Sequence, residues 1–264
     1  MPKVPKGMSD EDWYRVLTEG EEDMRAWRSW VRKVPSNPRC KMCFLPFGGL
    51  GGRFLRLRGH GASRKNPSFC RGCFESAPLG GAEVDIGILF ADVRGFTSMS
   101  AAQGPKATAA LMNRFYEMAT DVLIGQDAII DKLVGDEVMA LLVPGFAGNE
   151  YLAKMVAAAE SLLKGVGYGG DGDPWLQLGV GLDAGVAYVG NVGSGDVKDF
   201  TALGDPVNTA ARLQGEAKAG QIVMSERVFG ETGGRYPDSP QLQLDLKGKS
   251  QPVAARVIEL KAPS

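Results

Sequence analysis

All four cysteines of this chain fall in one short segment, as Cys40-x2-Cys43 and Cys70-x2-Cys73 with 26 residues between the pairs. Two such knuckles on either side of a loop bring four soft thiolates within tetrahedral reach of one ion. The loop needs a staple of that kind. Gly48, Gly49, Gly51, Gly52, Gly59 and Gly61 crowd it and large apolar side chains are few, so it cannot build a self-sufficient core. A small zinc-ribbon-like module is therefore expected at Cys40, Cys43, Cys70 and Cys73, and four thiolates suit zinc or an iron–sulfur cluster alike. His60, the single histidine, reads as a surface loop residue.

Charge divides the chain at the same place. Residues 35–80 hold eight Lys/Arg and one acid, a balance of +7, while residues 1–34 balance at seven against seven. The whole chain is at −1, so the part from residue 81 onward carries −8. Basic metal modules do bind phosphate backbones, but only Phe44, Phe47, Phe54, Phe69 and Phe74 interleave the charges. Nucleic acid is the lesser expectation; docking on the acidic remainder of the chain, or an unknown regulatory partner, is the greater. No run of about 18 apolar residues occurs, and Lys3, Lys6 and an acidic stretch stand where a signal peptide would be apolar. The expectation is a cytoplasmic protein without a membrane span.

Three parts follow along the chain. In residues 1–35, Ser9 caps a start marked by Asp10, Glu11 and Asp12. Apolar residues then recur at helical spacing from Trp13, Val16 and Leu17 through Met24, Trp27, Trp30, Val31 and Val34, until Pro35 ends an amphipathic helical segment. Residues 36–80 form the basic cysteine module. Near Gly80 and Gly81 the texture changes, and residues 81–264 have normal core density. There the pattern predicts a strand over Val84–Ala91, a helix over Lys106–Gly125, and strands over Ala128–Val134 and Glu137–Val143 joined by Gly135 and Asp136. A helix over Tyr151–Val166 follows. Strand material over Trp175–Val192 is interrupted by Gly179, Gly181, Gly185 and Gly190, then come a helix over Pro206–Ala217 and strands over Gln221–Met224, Gln241–Leu246 and Val253–Glu259. The order is βαββαβ, an α+β ferredoxin-like, palm-type core.

That topology makes a testable juxtaposition. A right-handed crossover sets the first two strands parallel, so the hairpin after the second lies at the end where the first finishes. Asp92, just past the first strand, should therefore sit near Asp136. Two carboxylates at one strand end repel unless a cation lies between them, and hard oxygen ligands suit Mg²⁺ or Mn²⁺. Spacing alone leaves open that both simply cap turns.

The stretches Gly87-Ile-Leu-Phe-Ala-Asp-Val-Arg-Gly-Phe-Thr97, Asp131-Lys-Leu-Val-Gly-Asp-Glu-Val-Met-Ala140 and Thr201-Ala-Leu-Gly-Asp-Pro-Val-Asn-Thr-Ala-Ala-Arg-Leu213 resemble the class III nucleotidyl cyclase catalytic domain in order and spacing, as does Gly185–Gly193 between them. The resemblance runs from about Val84 to Leu260. It implies an adenylate cyclase, a phosphorus–oxygen lyase making cyclic AMP from ATP. Asp92 and Asp136, with the Val93 carbonyl as an extra ligand, would hold two Mg²⁺ or Mn²⁺ ions per site. Backbone amides around Gly95, Phe96 and Thr97 would face the phosphates. Asn208 and Arg212, one helical turn apart, would orient the ribose and stabilise charge at the α-phosphate. Lys132 and Thr201 match the purine-selecting positions: Lys is the adenylyl choice, while Thr stands where Asp is usual and resembles a subgroup with a hydroxyl there. Lys249 falls where some members place a triphosphate-binding Lys. The family draws each site from two protomers, which implies a head-to-tail homodimer. A guanylate cyclase, or a regulatory nucleotide-binding homologue whose cysteine module binds nucleic acid or a protein, is the alternative. The sequence around Asp136 lacks the second Gly and the terminal aromatic of diguanylate cyclases, and no G-x-x-x-x-G-K-[ST] loop occurs.

Overall fold

The computed structural model describes residues 7–19, 39–41, 45–57, 61–63, 67–194, 197–245, 248 and 251–260. Cys43, His60, Lys249 and the apolar positions from Met24 to Val34 lie outside them. Helix α1 (Asp10–Thr18) opens as the sequence predicts, with the Ser9 hydroxyl accepting from the Asp12 amide at 3.2 Å and the Asp12 carboxylate accepting from the Ser9 amide at 3.0 Å. The cysteine module contributes α2 (Gly49–Leu57) and α3 (Arg71–Ser76). Then come β1 (Gly80–Val93), α4 (Phe96–Gln103), α5 (Pro105–Gly125), β2 (Ile129–Val134), β3 (Glu137–Leu142), α6 (Pro144–Ala147) and α7 (Tyr151–Gly165). The remainder is β4 (Leu178–Ser194), β5 (Val197–Leu203), α8 (Asp205–Glu216), β6 (Gln221–Ser225), α9 (Glu226–Thr232), β7 (Gln241–Leu244) and β8 (Val253–Glu259).

The strands form one sheet in the order β2-β3-β1-β4-β6-β8-β7, with β5 pairing β4 in addition. This is the expected α+β palm. Because side chains alternate along a strand, β1 splits its apolar residues between two layers. Leu89, Ala91 and Val93 pack with Phe115 and Leu123 of α5 and Met155 and Leu162 of α7. Ile86, Ile88 and Phe90 face the other way. A ferredoxin-like sheet leaves that second face open, but here it is covered. Trp13 and Leu17 of α1, together with Cys40, Phe47, Phe69, Cys70, Cys73 and Phe74, form one cluster with Ile86, Ile88, Ile129, Met139 and Leu141. The module's few apolar side chains thus find their core on the sheet. Phe69, 2% exposed, is its keystone, with ring centroids 5.3 Å from Phe200 and 6.1 Å from Phe146.

Polar contacts fix the docking. Ser68 Oγ donates to the Ala128 carbonyl and accepts from the Ile130 amide, both at 3.4 Å. Lys41 Nζ donates to Asp127 Oδ1 at 2.6 Å, and Lys154 Nζ from α7 donates to Asp127 Oδ2 at 2.7 Å. Burial alone would raise the Asp127 carboxyl, but the Lys154 and Lys41 ammonium groups hold it below the usual carboxylate range. A depressed carboxylate contributes stability that is present above its unfolded pKa and lost as pH falls through its folded value. Asp127→Asn is therefore expected to lower neutral-pH stability by about 0.5–1 kcal/mol, and by less near pH ~3, because solvent screens the pair. Urea unfolding at both pH values checks this, and an equal loss at both would contradict it.

Two local expectations change. The glycines of β4 do not interrupt it. A Cβ at Gly181 would meet the Gln214 amide nitrogen at 2.2 Å, and one at Gly185 would meet Pro206 Cγ at 2.5 Å, so the bare backbone is what lets α8 lie against the strand. The first strand, expected from Val84, begins at Gly80, where Gly80 and Gly81 pair with Asn191 and Gly190 of β4.

Candidate active site

Asp92 lies inside the end of β1 rather than just past it, directly opposite Glu137 of β3, and the Val93 amide donates to the Asp136 carbonyl at 3.2 Å. The expected juxtaposition of Asp92 with the hairpin is thus met in the strand register. Gly135 makes the turn at φ 63°, and Tyr116 of α5 pins it by donating its hydroxyl to the Gly135 carbonyl at 2.5 Å. Burial raises the Asp92 carboxyl, Arg94 draws it back through a close ion pair, and Asp136 pushes it up again. Glu137 is raised by burial, then by Asp92 and Asp136. Asp92 and Asp136 thus meet at one strand end, with Glu137 coupled to both and Arg94 as a compensating cation, and a pair of carboxylates suits hard divalent ions.

Glu137, Arg94 and Tyr116 were missed in the sequence. Period-two alternation from the hairpin puts Glu137 on the Asp92 face, and that signal could have found it. Gly95, at φ 72°, turns the chain into α4, which starts without a side-chain cap, so amides near Phe96 and Thr97 open beside Asp92.

A second group lies elsewhere. Lys132 is exposed on β2, just past a bulge at Asp131. Thr201, 6% exposed on β5, donates its hydroxyl to Asp131 Oδ2 at 2.7 Å, which brings it beside the residue that precedes Lys132. Burial raises Asp131, while the Thr201 hydrogen bond and Lys132 oppose the rise. Asn208 is exposed and Arg212 half-buried on α8, and the Arg212 guanidinium lies 3.2 Å from where a Cβ on Gly248 would be. No hydrogen bond or ion pair among the described residues joins Asn208 or Arg212 to Asp92 or Asp136.

The model of the adenylate and guanylate cyclase catalytic domain matches residues 82–253. The chain belongs to that family. The cyclase match begins after the cysteine module and spans both residue groups. An adenylate cyclase of Anabaena cylindrica is 30% identical over 204 residues, covering 70% of this chain but 40% of the relative. Adenylate cyclase 1 of Rhizobium meliloti is 28% identical over 152 residues, 54% of this chain and 23% of the relative. The chain therefore spans less than half the length of these relatives. Among solved structures, the guanylyl cyclase Cya2 superposes with a TM-score of 0.63 at 26% identity, covering 70% of this chain and 97% of that one. The adenylyl cyclase CyaB from P. aeruginosa gives 0.58 at 25%, covering 69% and 97%.

A third cluster stands apart from the cyclase match. Cys40, Cys70 and Cys73 are buried with their sulfurs within 4.8 Å of one another, a group that could hold a metal ion. The Cys70 amide donates to Cys40 Sγ at 3.2 Å and the Cys73 amide to Cys70 Sγ at 3.3 Å, which favours charge on the thiolates. No helix among the described residues is long and apolar enough to cross a membrane.

Proposed function

We propose that the chain is an adenylate cyclase acting as a head-to-tail homodimer. In the reaction the ribose 3′-oxygen of ATP forms a bond to the α-phosphorus, the α–β phosphoanhydride bond breaks, and pyrophosphate and the 3′-hydroxyl proton leave. Two Mg²⁺ or Mn²⁺ ions held by Asp92 and Asp136, with the Val93 carbonyl, would supply Lewis-acid activation of the 3′-oxygen and charge neutralisation on the triphosphate. Around them, the amides near Gly95, Phe96 and Thr97 bind phosphate oxygens. Lys132 donates to adenine N1, and Thr201 accepts from the 6-amino group. Asn208 orients the ribose, and the planar guanidinium of Arg212 meets charge building on the α-phosphate. Lys249 would bind the triphosphate.

The observation that carries this reading is the register pairing of Asp92 with the Asp136–Glu137 hairpin inside a cyclase-matched sheet. The exposed Val186, Val192, Val197 and Leu203 along β4 and β5, an apolar strip on an edge, support a site completed by a second copy. Likeness to the guanylyl cyclase Cya2 keeps GTP as the second reading. Incubation of the purified chain with ATP or GTP and Mn²⁺ separates the two: cyclic AMP is the expected main product, and cyclic GMP as the main product, or neither, contradicts the proposal.

The cysteine cluster is read as one zinc site of Cys40, Cys43, Cys70 and Cys73, an iron–sulfur cluster being the alternative. Four thiolates shield zinc completely and suit a structural role.

A further inference from the structure

Asp131 is a buried carboxylate that the nucleotide chemistry above does not use. It precedes Lys132 on β2, and the bulge there turns it toward β5, where Thr201 Oγ1 lies 2.7 Å from Asp131 Oδ2. A carboxylate has only acceptors, so the proton in this hydrogen bond belongs to Thr201. A hydroxyl has one proton and two lone pairs. With its proton committed to Asp131, the Thr201 hydroxyl can only accept from any further partner.

We infer that Asp131 is a specificity-determining positioning residue: by holding the Thr201 proton it fixes that hydroxyl as an acceptor, so the site takes an adenine 6-amino donor and rejects a guanine O6 acceptor. The pairing explains how an uncharged Thr selects a purine. The negative charge sits one bond network back, on Asp131, and polarises the threonine oxygen toward the base. Guanine would set its O6 lone pairs against those of Thr201 and its N1–H against the Lys132 ammonium, a double mismatch. An amide at position 131 removes this lock, because its NH₂ can donate to Thr201 Oγ1 and release the hydroxyl proton toward O6.

The inference rests on the adenylate cyclase reading, and the experiment separates the two. Cyclic-product kcat/KM for ATP and GTP is measured for the wild type, Asp131→Asn, Thr201→Val and the double variant. In parallel, ATP and GTP displace a fluorescent ATP analogue at equilibrium, a readout that needs no turnover. Circular dichroism confirms that each variant is folded. Asp131→Asn is expected to lower the ATP-to-GTP ratio by about tenfold, because a charge-assisted hydrogen bond sets the preference. Thr201→Val should lower it similarly, and Asp131→Asn should then add little, since the hydrogen bond that carries its effect on the hydroxyl has been removed. An unchanged ratio in Asp131→Asn overturns the inference. So does a fall of equal size in the Thr201→Val background, which would mark a merely structural role. A wild type that discriminates in binding but forms no cyclic product refutes the enzymatic reading and leaves the base-selection test intact. A wild type that binds neither nucleotide overturns both.

Discussion

Asp92→Ala and Asp136→Ala are each expected to cut cyclic nucleotide formation by about a thousandfold or more without unfolding the chain. The loss follows from position. Each variant removes an oxygen donor from the point where phosphate charge must be neutralised, and phosphoryl transfer depends almost entirely on that neutralisation. The fold should survive because neither carboxyl fills core space: Asp92 and Asp136 lie at the rim, with the buried residues of β1 and β3 behind them. The two variants differ in electrostatics. Asp136→Ala relieves repulsion, because on top of burial Asp136 pushes up both the Asp92 carboxyl and Glu137, whereas Asp92→Ala also leaves Arg94 without its ion pair. A melting temperature at or slightly above the wild type is therefore expected for Asp136→Ala, and one slightly below it for Asp92→Ala, alongside the lost turnover. Retained turnover contradicts the catalytic assignment, and a collapse in melting temperature would mean that the acids hold the hairpin.

Cys70→Ser is the variant with the largest expected cost in stability. Zinc bound by four thiolates contributes folding energy directly, on the order of 10 kcal/mol in small zinc peptides, because no preformed site exists in the unfolded chain. The consequence extends beyond the module, since Phe69 and Cys70 belong to the same buried cluster as Ile86, Ile88 and Leu141 of the sheet. Losing the staple should expose that apolar face, so limited proteolysis is expected to cut within residues 36–80 and the sheet domain to bind a hydrophobic dye. Metal analysis of the wild type should find about one zinc per chain, and a brown protein containing iron would replace zinc by a cluster. A metal-free wild type whose module resists protease contradicts the staple.

The sequence carried the acidic end of the site well and the module's placement poorly. Asp92 could be set beside Asp136 because crossover handedness and a tight Gly135–Asp136 turn leave one arrangement, and both are local or topological rules. The edges of β8 were legible from local signals too: Val253, Val257 and Ile258 lie between the turn residues at Gly248 and Pro252 and the Pro263 beyond. Gly179, Gly181, Gly185 and Gly190 of β4 misled because glycine weakens a strand in isolation, while the use of Gly181 and Gly185 here is tertiary: they admit the backbone and Pro206 of α8. β5 and α9 went unseen, since Val197–Leu203 mixes polar and apolar residues without strict alternation and Glu226–Thr232 is barely two turns long. The docking of Cys40, Phe47, Phe69 and Phe74 on this particular sheet face had no local signal. It depends on Phe69 meeting Phe200 and Phe146, and on Lys41 meeting Asp127, pairs far apart in the chain. The Thr201–Asp131 hydrogen bond was hidden likewise, because a bulge on one strand and the edge of another must both be known.

The central claim, a cyclase whose sites are shared between two copies, is tested most directly by mixing two dead variants. Asp92→Ala lacks an acidic donor and Arg212→Ala lacks the guanidinium, and each homodimer should be inactive. In a mixed dimer one site collects both defects and the other collects neither. Random exchange makes half the dimers mixed, each with one sound site of two, so the mixture should recover about a quarter of wild-type cyclic AMP formation. Exchange is verified independently by energy transfer between labelled subunits. Recovery near that fraction is the predicted result, and no recovery from subunits shown to exchange would contradict the shared site.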